Sequence, residues 1–304
     1  MKVLLCQTGG LGNQLFQYAA GSYFARKYGA TLEIIREPEN QAVCFGHPRP
    51  FLLSHFCISA PFRELTLWDR LMCSVAPSKK PVTGFARFAS RTVVYRQRYL
   101  EDGTYVPELH FPRSTNYLYI LGDYQAFQYA RDMEEVLRAE FCFREPATGK
   151  NLNVLEEILS AEVSVSIHVR RGDYANVFNG ERLLSADYYM RAITAILERG
   201  GQPTFFVFSD DIAFARELLP KGYRMVFVDH NDETKPHEDL RLMSACRHNI
   251  IANSTLSWWG AWLNPNPEKL ICVPGSWQNS DPGFSYADLV PPNWHRISTA
   301  APSA

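Results

Sequence analysis

The 304-residue sequence has no apolar run near the ~18 residues that a membrane span requires. Its N-terminus, MKVLLCQTGG, offers an apolar stretch shorter than the ~7–15 residues of a signal-peptide core, and it meets glycines at once. Both absences predict a protein that stays in the cytosol. Neither sign of charge prevails: 31 lysines and arginines face 32 aspartates and glutamates, for a net charge of -1. That balance excludes a global field that would gather nucleic acid. Seven cysteines, at positions 6, 44, 57, 73, 142, 246 and 272, are odd in number and form no C-x-x-C pair. They predict reduced thiols rather than a disulfide framework or a cysteine-rich zinc site. Also missing are H-E-x-x-H, the D-x-D pair that metal-dependent sugar-nucleotide transferases use, tandem repeats and low-complexity segments.

What is present is a βα alternation. Residues 2–6, KVLLC, read as a buried strand and QTGGLGN as a tight loop. A helix follows, with Phe16, Ala20, Tyr23, Phe24 and Lys27 at helical spacing and Gly29 placed to stop it. TLEII (31–35) is a second strand, and YLYILGDYQ (117–125) a later strand leading to a helix through Leu137. Between about 38 and 115 one or two helices are expected and nothing more is assignable from pattern, given many prolines and aromatics and little periodicity. The second half is plainer. Val163, Val165, Ile167 and Val169 alternate with Ser164, Ser166, His168 and Arg170, a period of two. Strands are expected at 204–211, 224–231, 249–255 and 269–277, with helices between them; Ser209 is expected to cap one helix and Pro236 to begin another. Length suggests about two domains, placed at 1–150 and 151–297, with residues 298–304 a frayed tail. Alternating strands and helices predict parallel sheets covered on both faces.

Ligands of open α/β sheets bind outside the carboxyl ends of the strands. The expected strands end in His168-Val169-Arg170-Arg171, Ser209-Asp210-Asp211, Asp229-His230-Asn231, Asn253-Ser254-Thr255 and Pro274-Gly275-Ser276. Arginine's fork matches carboxylate and phosphate oxygens, so Arg170 and Arg171 in tandem suggest a multiply charged anion. A solvated face, or a chance Arg-Gly-Asp adhesion tripeptide, is the alternative. ANSTLSWW presents a helix N-terminus, with Ser254 and Thr255 as further donors, that attracts phosphate; Ser254 as a plain cap is compatible with that. In GGLGNQ, Gly10 and Gly12 match two positions of a dinucleotide fingerprint, but Leu15 replaces the third glycine. Glu33 stands at the distance of a ribose-binding acid. Alternatively the loop brings backbone amides, Asn13 and Gln14 to a ligand. Asp210 and Asp211 are read as favouring their helix N-terminus, and the aromatics of WWGAW (258–262) as core or as a stacking surface. From Arg70 to Arg98 seven basic residues (Arg70, Lys79, Lys80, Arg87, Arg91, Arg96, Arg98) occur without an acid. They are a solvated face or a surface for anionic lipid near a membrane-linked glycan.

GGLGNQLFQYAAG, SIHVRRGDY, FFVFSDD and NIIANSTLSWWGAWL, in that order, resemble the α-1,2-fucosyltransferases of glycosyltransferase family 11. The resemblance spans residues 9 to about 263. It implies an α/β, GT-B-like architecture, two Rossmann-like domains whose parallel sheets face an interdomain cleft. It also implies inverting transfer of L-fucose from GDP-β-L-fucose to the 2-hydroxyl of a terminal β-galactose on an oligosaccharide, with no metal or other cofactor required. By position, Arg170 and Arg171 would grip the pyrophosphate, and His168 would lie near the nucleotide or its ribose. Asn253, Ser254 and Thr255 would hold phosphate oxygens, Asp229 or Ser209 would face the guanosine, and Asn13 would touch the fucose or leaving oxygen. Asp173 is the candidate general base, or else it orients the arginines or the turn. Animal members carry a membrane anchor before the catalytic domain; its lack here points to a bacterial, cytoplasmic form. A non-catalytic nucleotide-sugar-binding module is the alternative from another class.

Overall fold

The computed structural model describes residues 1–36, 43–44, 47–48, 50–74, 91–97, 104–172, 183–277 and 287–299. Two compact units emerge: Met1–Arg144 with Gly283–Pro291, and Glu145–Pro282 with Pro292–Ala304. The segment 287–291, read from sequence as part of the second domain, thus belongs to the first.

In the first unit, β1 (Lys2–Cys6), α1 (Leu11–Lys27) and β2 (Thr31–Arg36) form the expected βαβ unit. Two-residue strands β3 (Val43–Cys44) and β4 (His47–Pro48) make a small antiparallel pair. Then come β5 (Phe62–Glu64), α2 (Leu67–Ser74), β6 (Thr92–Arg96), β7 (Tyr117–Leu121), α3 (Phe127–Asp132) and α4 (Glu134–Glu140). The sheet is all parallel, in the order β5-β2-β1-β7-β6. So α2 is a helix within the stretch where one or two were expected, while β5 and β6 lie where pattern assigned no strand. Helix α1 is held tightly to the sheet at Gly21, where a Cβ would sit 3.1 Å from the side chains of Leu5 and Leu32. The single helix expected after β7 is two, broken at Met133.

The second unit runs α5 (Gly149–Ser160), β8 (Val163–Val169), α6 (Ala186–Leu197), β9 (Pro203–Ser209), α7 (Ile212–Leu218), β10 (Met225–Val228), α8 (Pro236–Ala245), β11 (His248–Ile250), α9 (Thr255–Leu263), β12 (Ile271–Pro274) and β13 (His295–Ile297). All its pairings are parallel, in the order β10-β9-β8-β11-β12-β13. One face packs Val163, Val165, Ile167, Phe205 and Val207 against Tyr188, Ala192 and Ile193 of α6. The other packs Phe206 and Phe208 against Ile158 of α5 and Leu242 and Met243 of α8. The two serines of the β8 alternation are therefore buried too, and they are bonded: Ser164 Oγ accepts from Arg247 N, and Ser166 Oγ accepts from Asn249 Nδ2 at 2.8 Å.

Candidate functional site

Strand order decides where a ligand can sit in the second unit. The chain winds outward through β9 and β10 on one side of β8, then reverses through β11, β12 and β13 on the other. The crevice of a doubly wound sheet opens at such a reversal, here between the carboxyl ends of β8 and β11. Arg170, Arg171 and Gly172 leave β8 there, and Asn253-Ser254-Thr255 leads from β11 into α9.

Register sets the partners of the arginines. Val169 pairs with Ser209, so the next residues on each strand run side by side. Arg170 Nη1 lies 2.5 Å from Asp210 Oδ2, and Arg171 Nη1 donates to Asp211 Oδ2 at 2.5 Å. The backbone N–H of Arg171 donates to Asp210 Oδ1 at 2.8 Å. The Arg171 guanidinium also covers the Phe214 ring, 4.5 Å from its centroid. Asp211 accepts from Phe214 N as the N-cap of α7; that bond and the Arg171 pairing hold its carboxyl below the usual carboxylate range. Gly172 allows this closeness, since a Cβ there would meet Asp210 Oδ2 at 2.5 Å. Sequence reading missed this pairing: Asp210 and Asp211 do more than favour a helix terminus. The N-cap expected at Ser209 is corrected to Asp211. The Ser209 hydroxyl instead accepts from Asp211 N and donates to its carbonyl, closing the turn.

His168 is buried, and its Nδ1 has no hydrogen-bond partner among the described residues. Burial, then the charge of Arg170, pushes its imidazole down to about 3. It is a neutral ring at any ordinary pH. Ser254 occupies the N-cap position of α9 in an extended conformation, with no side-chain cap bond. The first turn of a helix leaves N–H groups without intrahelical partners. Asn253 is buried and donates to Trp277 O at 3.0 Å. Behind them Trp258, Trp259 and Trp262 are core, with ring centroids 4.9 and 5.3 Å apart along the helix.

Not every expected residue joins this group. Asp229 follows the edge strand β10, two strands from β8; it is exposed and lies 3.9 Å from Arg216. Asp239, overlooked in the sequence, lies half-buried in the first turn of α8, accepts from Asn231 Nδ2 at 2.8 Å, and is pushed up to about 7 by desolvation. Asp173 lies outside the described residues. Gly10, Gly12 and Asn13 belong to the first unit. There Gly10 precedes α1, and a Cβ on it would meet nothing within 4 Å. Asn13 Oδ1 accepts from Gln125 Nε2 at 3.4 Å. Gln14 is a staple: its Nε2 donates to the carbonyls of Gly9 and Pro50, and its Oε1 accepts from Leu52 N. Glu33, the acid a dinucleotide reading would need, sits mid-strand and is bound by Lys2 and Arg63. Among the described residues no group of three or more His, Cys, Asp or Glu is placed to hold a metal ion, and no helix is long and apolar enough to cross a membrane.

The family model for glycosyl transferase family 11 matches residues 91–298. The chain belongs to this family. It is 30% identical to the O-antigen biosynthesis glycosyltransferase WbnK of Escherichia coli, over 90% of this chain and 93% of that one. An α-1,2-colitosyltransferase of the same organism is 29% identical, over 95% of this chain and 96% of its own. A galactoside α-(1,2)-fucosyltransferase of Bos taurus is 26% identical over 84% of this chain and 64% of that protein. Among solved structures, the NodZ alpha-1,6-fucosyltransferase co-crystallised with GDP superposes with a TM-score of 0.52 at 15% identity, covering 87% of this chain and 92% of NodZ. An Arabidopsis thaliana fucosyltransferase variant in complex with GDP gives 0.54 at 11%, covering 89% and 69%. These likenesses fix the fold as that of GT-B-type enzymes. The resemblance read from the four motifs holds: the protein is a family 11 glycosyltransferase with two parallel α/β sheets.

Proposed function

We propose that the enzyme transfers L-fucose from GDP-β-L-fucose to the 2-hydroxyl of a terminal β-galactose, with inversion and without a metal ion. The arginine pair after β8 and the N-terminus of α9 after the neighbouring strand β11 together support this reading. As the C1–O bond to the β-phosphate breaks, positive charge grows on the sugar and negative charge on the departing GDP. Fixed guanidinium groups and helix N–H donors stabilise that charge more in the transition state than before it. The acceptor oxygen bonds to C1 from the opposite face and releases its proton, to Asp173 or to solvent. Asp210 and Asp211 hold the two forks at the rim beforehand, so little reorganisation accompanies the bond cleavage. His168, neutral and with an open Nδ1, suits an uncharged donor on the nucleoside. Ser209, Asp229, Ser254 and Thr255 are the remaining candidate nucleotide contacts. Gly10, Gly12 and Asn13 are the candidates on the sugar side.

A second reading is favoured by the colitosyltransferase relative, which matches nearly the whole chain. In it the same rim binds a nucleotide carrying colitose instead of fucose. Incubation with GDP-fucose and lactose, in excess EDTA and separately with magnesium, tests the first reading. GDP release with formation of an α-1,2-linked product, equal in both, is the expected result. Turnover only with the colitose donor would select the second reading. Loss of turnover in EDTA, restored by magnesium or manganese, would overturn metal independence. Binding of GDP-fucose without turnover on any β-galactoside would leave a binding module.

A further inference from the structure

Exposed large apolar side chains cluster in one short stretch of the first unit. Phe62, Leu67, Trp68 and Leu71 all lie open within ten residues, and Leu67 is 86% exposed. The last three share the outer face of α2, whose inner face buries Asp69 and Met72.

The charge beside this face is mostly basic, with the exposed Glu64 paired to Arg36. Asp69 is the acid of α2, and it is turned inward. Its carboxylate accepts from Arg63 Nη1 at 2.6 Å, from Thr66 N at 2.8 Å and from the Tyr119 hydroxyl at 2.7 Å. Outward the helix carries Arg70. Arg96 donates to the carbonyl of Cys73 at 2.6 Å, at the helix's C-terminal end. Arg36 lies 5.8 Å from the centroid of the Phe62 ring and 3.7 Å from Glu64. Lys79, Lys80, Arg87 and Arg98, outside the described residues, add sequence-local positive charge with no acid between Arg70 and Arg98. In a chain of net charge -1, that concentration is local.

We propose that the outer face of α2 docks on an anionic phospholipid bilayer, inserting Leu67, Trp68 and Leu71 at headgroup depth while the arginines meet the lipid phosphates. Short amphipathic segments with aromatic and aliphatic residues on one side and basic residues around them bind membranes by these two contributions together. Indole is favoured at the interface because its ring is apolar and its N–H is polar. The inference stands apart from which sugar is transferred.

The test is cosedimentation of the full chain with phosphatidylcholine vesicles, with and without phosphatidylglycerol, at low and high salt. Binding is expected only with the anionic vesicles, and to weaken as salt screens the charge. The double variant Leu67→Ser/Leu71→Ser and the single variant Arg70→Glu are each expected to bind about tenfold more weakly. All three positions are exposed, so unchanged melting curves serve as the folding check. Leu159→Ser, an exposed leucine in the second unit, should bind as the unaltered chain does. Absence of binding at low salt, or equal binding by the double variant, would overturn the proposal. So would equal loss in Leu159→Ser. A concentration-dependent dimer that the double variant abolishes would assign the face to a second copy instead.

Discussion

At Arg170 and Arg171, adjacency has a geometric meaning. One side chain leaves the end of β8 toward Asp210, and the next turns to Asp211 and the Phe214 ring. The two forks are therefore anchored separately, and on the proposed reading they would meet one anion from different directions. Lysine would keep each charge and lose the planar fork that both a carboxylate and a phosphate match. Arg170→Lys and Arg171→Lys are each expected to lower turnover ~10²-fold, the scale for removing one preorganised donor. Alanine should be worse at either position. The double variant should fall short of additivity because both groups serve the same anion. Steady-state kinetics with GDP-affinity measurements on folded variants check this; near-normal values for either lysine variant would return that arginine to surface decoration. His168 gives a second expectation, in pH. Its folded value of about 3 lies below the ordinary ~6.5 of an unfolded histidine. As pH falls through 6.5 the unfolded chain takes up a proton that the folded one refuses, so stability drops toward pH 3. Asp239, raised from 3.8 to about 7, opposes this over nearly the same range, its contribution falling as pH rises from 3.8 and lost above 7. Thermal melting from pH 7 to 4 should show a steeper loss for the unaltered chain than for His168→Gln. Parallel slopes would mean the imidazole is solvated.

Elements differ in how much of them the sequence made legible, and register explains most of it. Strands β8 and β9 are seven residues each with buried side chains on both faces, so their apolar content is conspicuous. By contrast β5 and β13 are three residues long and lie at sheet edges. Their partners are remote in sequence, and no period can develop over three residues. Strand β6 holds Val93 and Val94 but sits in an arginine-rich stretch that hides the pattern. Within the site, the ends of β8 and β11 were readable as polar clusters after apolar runs. The pairing of Arg170 with Asp210 was not, because it follows from Val169 facing Ser209 across two strands. The cysteines teach the same lesson: read as scattered thiols, two of them, Cys6 and Cys73, lie 3.2 Å apart across β1 and α2. Gly172 turns register into a test. A methyl group there would press on Asp210 Oδ2, the movable end of a side chain. Gly172→Ala should thus leave the melting temperature nearly unchanged while moving Asp210 off Arg170 and the Arg171 amide. Turnover is expected to drop at least tenfold, with a milder effect on GDP affinity. A folded variant with full turnover would show that Asp210 does not position the arginines.

On the scale of the whole molecule, the chain visits the first unit twice. It builds one parallel sheet, leaves for the second, and returns a short segment before ending on β13. That return is bonded into the first unit. Asp288 accepts from Tyr105 N at 2.9 Å and from Gln128 Nε2 at 2.7 Å, and its carbonyl accepts from Phe127 N at 2.7 Å. Leu289 and Val290 are buried beside it. Two domains in simple succession would allow residues 1–150 to fold alone with full stability. The discontinuous arrangement makes a different demand. Removing the segment strips the Tyr105, Phe127 and Gln128 groups of their partners, and each buried polar group left unsatisfied costs ~1–3 kcal/mol. It also exposes the apolar surface that Leu289 and Val290 cover. A chain ending at residue 282 should therefore lose hydrogen-exchange protection at residues 104–132, far from the cut in sequence. It should also lose the β12–β13 pairing in the second unit. Asp288→Ala is the milder form: a lower melting temperature, with faster exchange at Tyr105. Amide exchange read peptide by peptide distinguishes the cases. If residues 104–132 exchange in the shortened chain as they do in the full one, the returning segment is incidental and the first unit is complete without it.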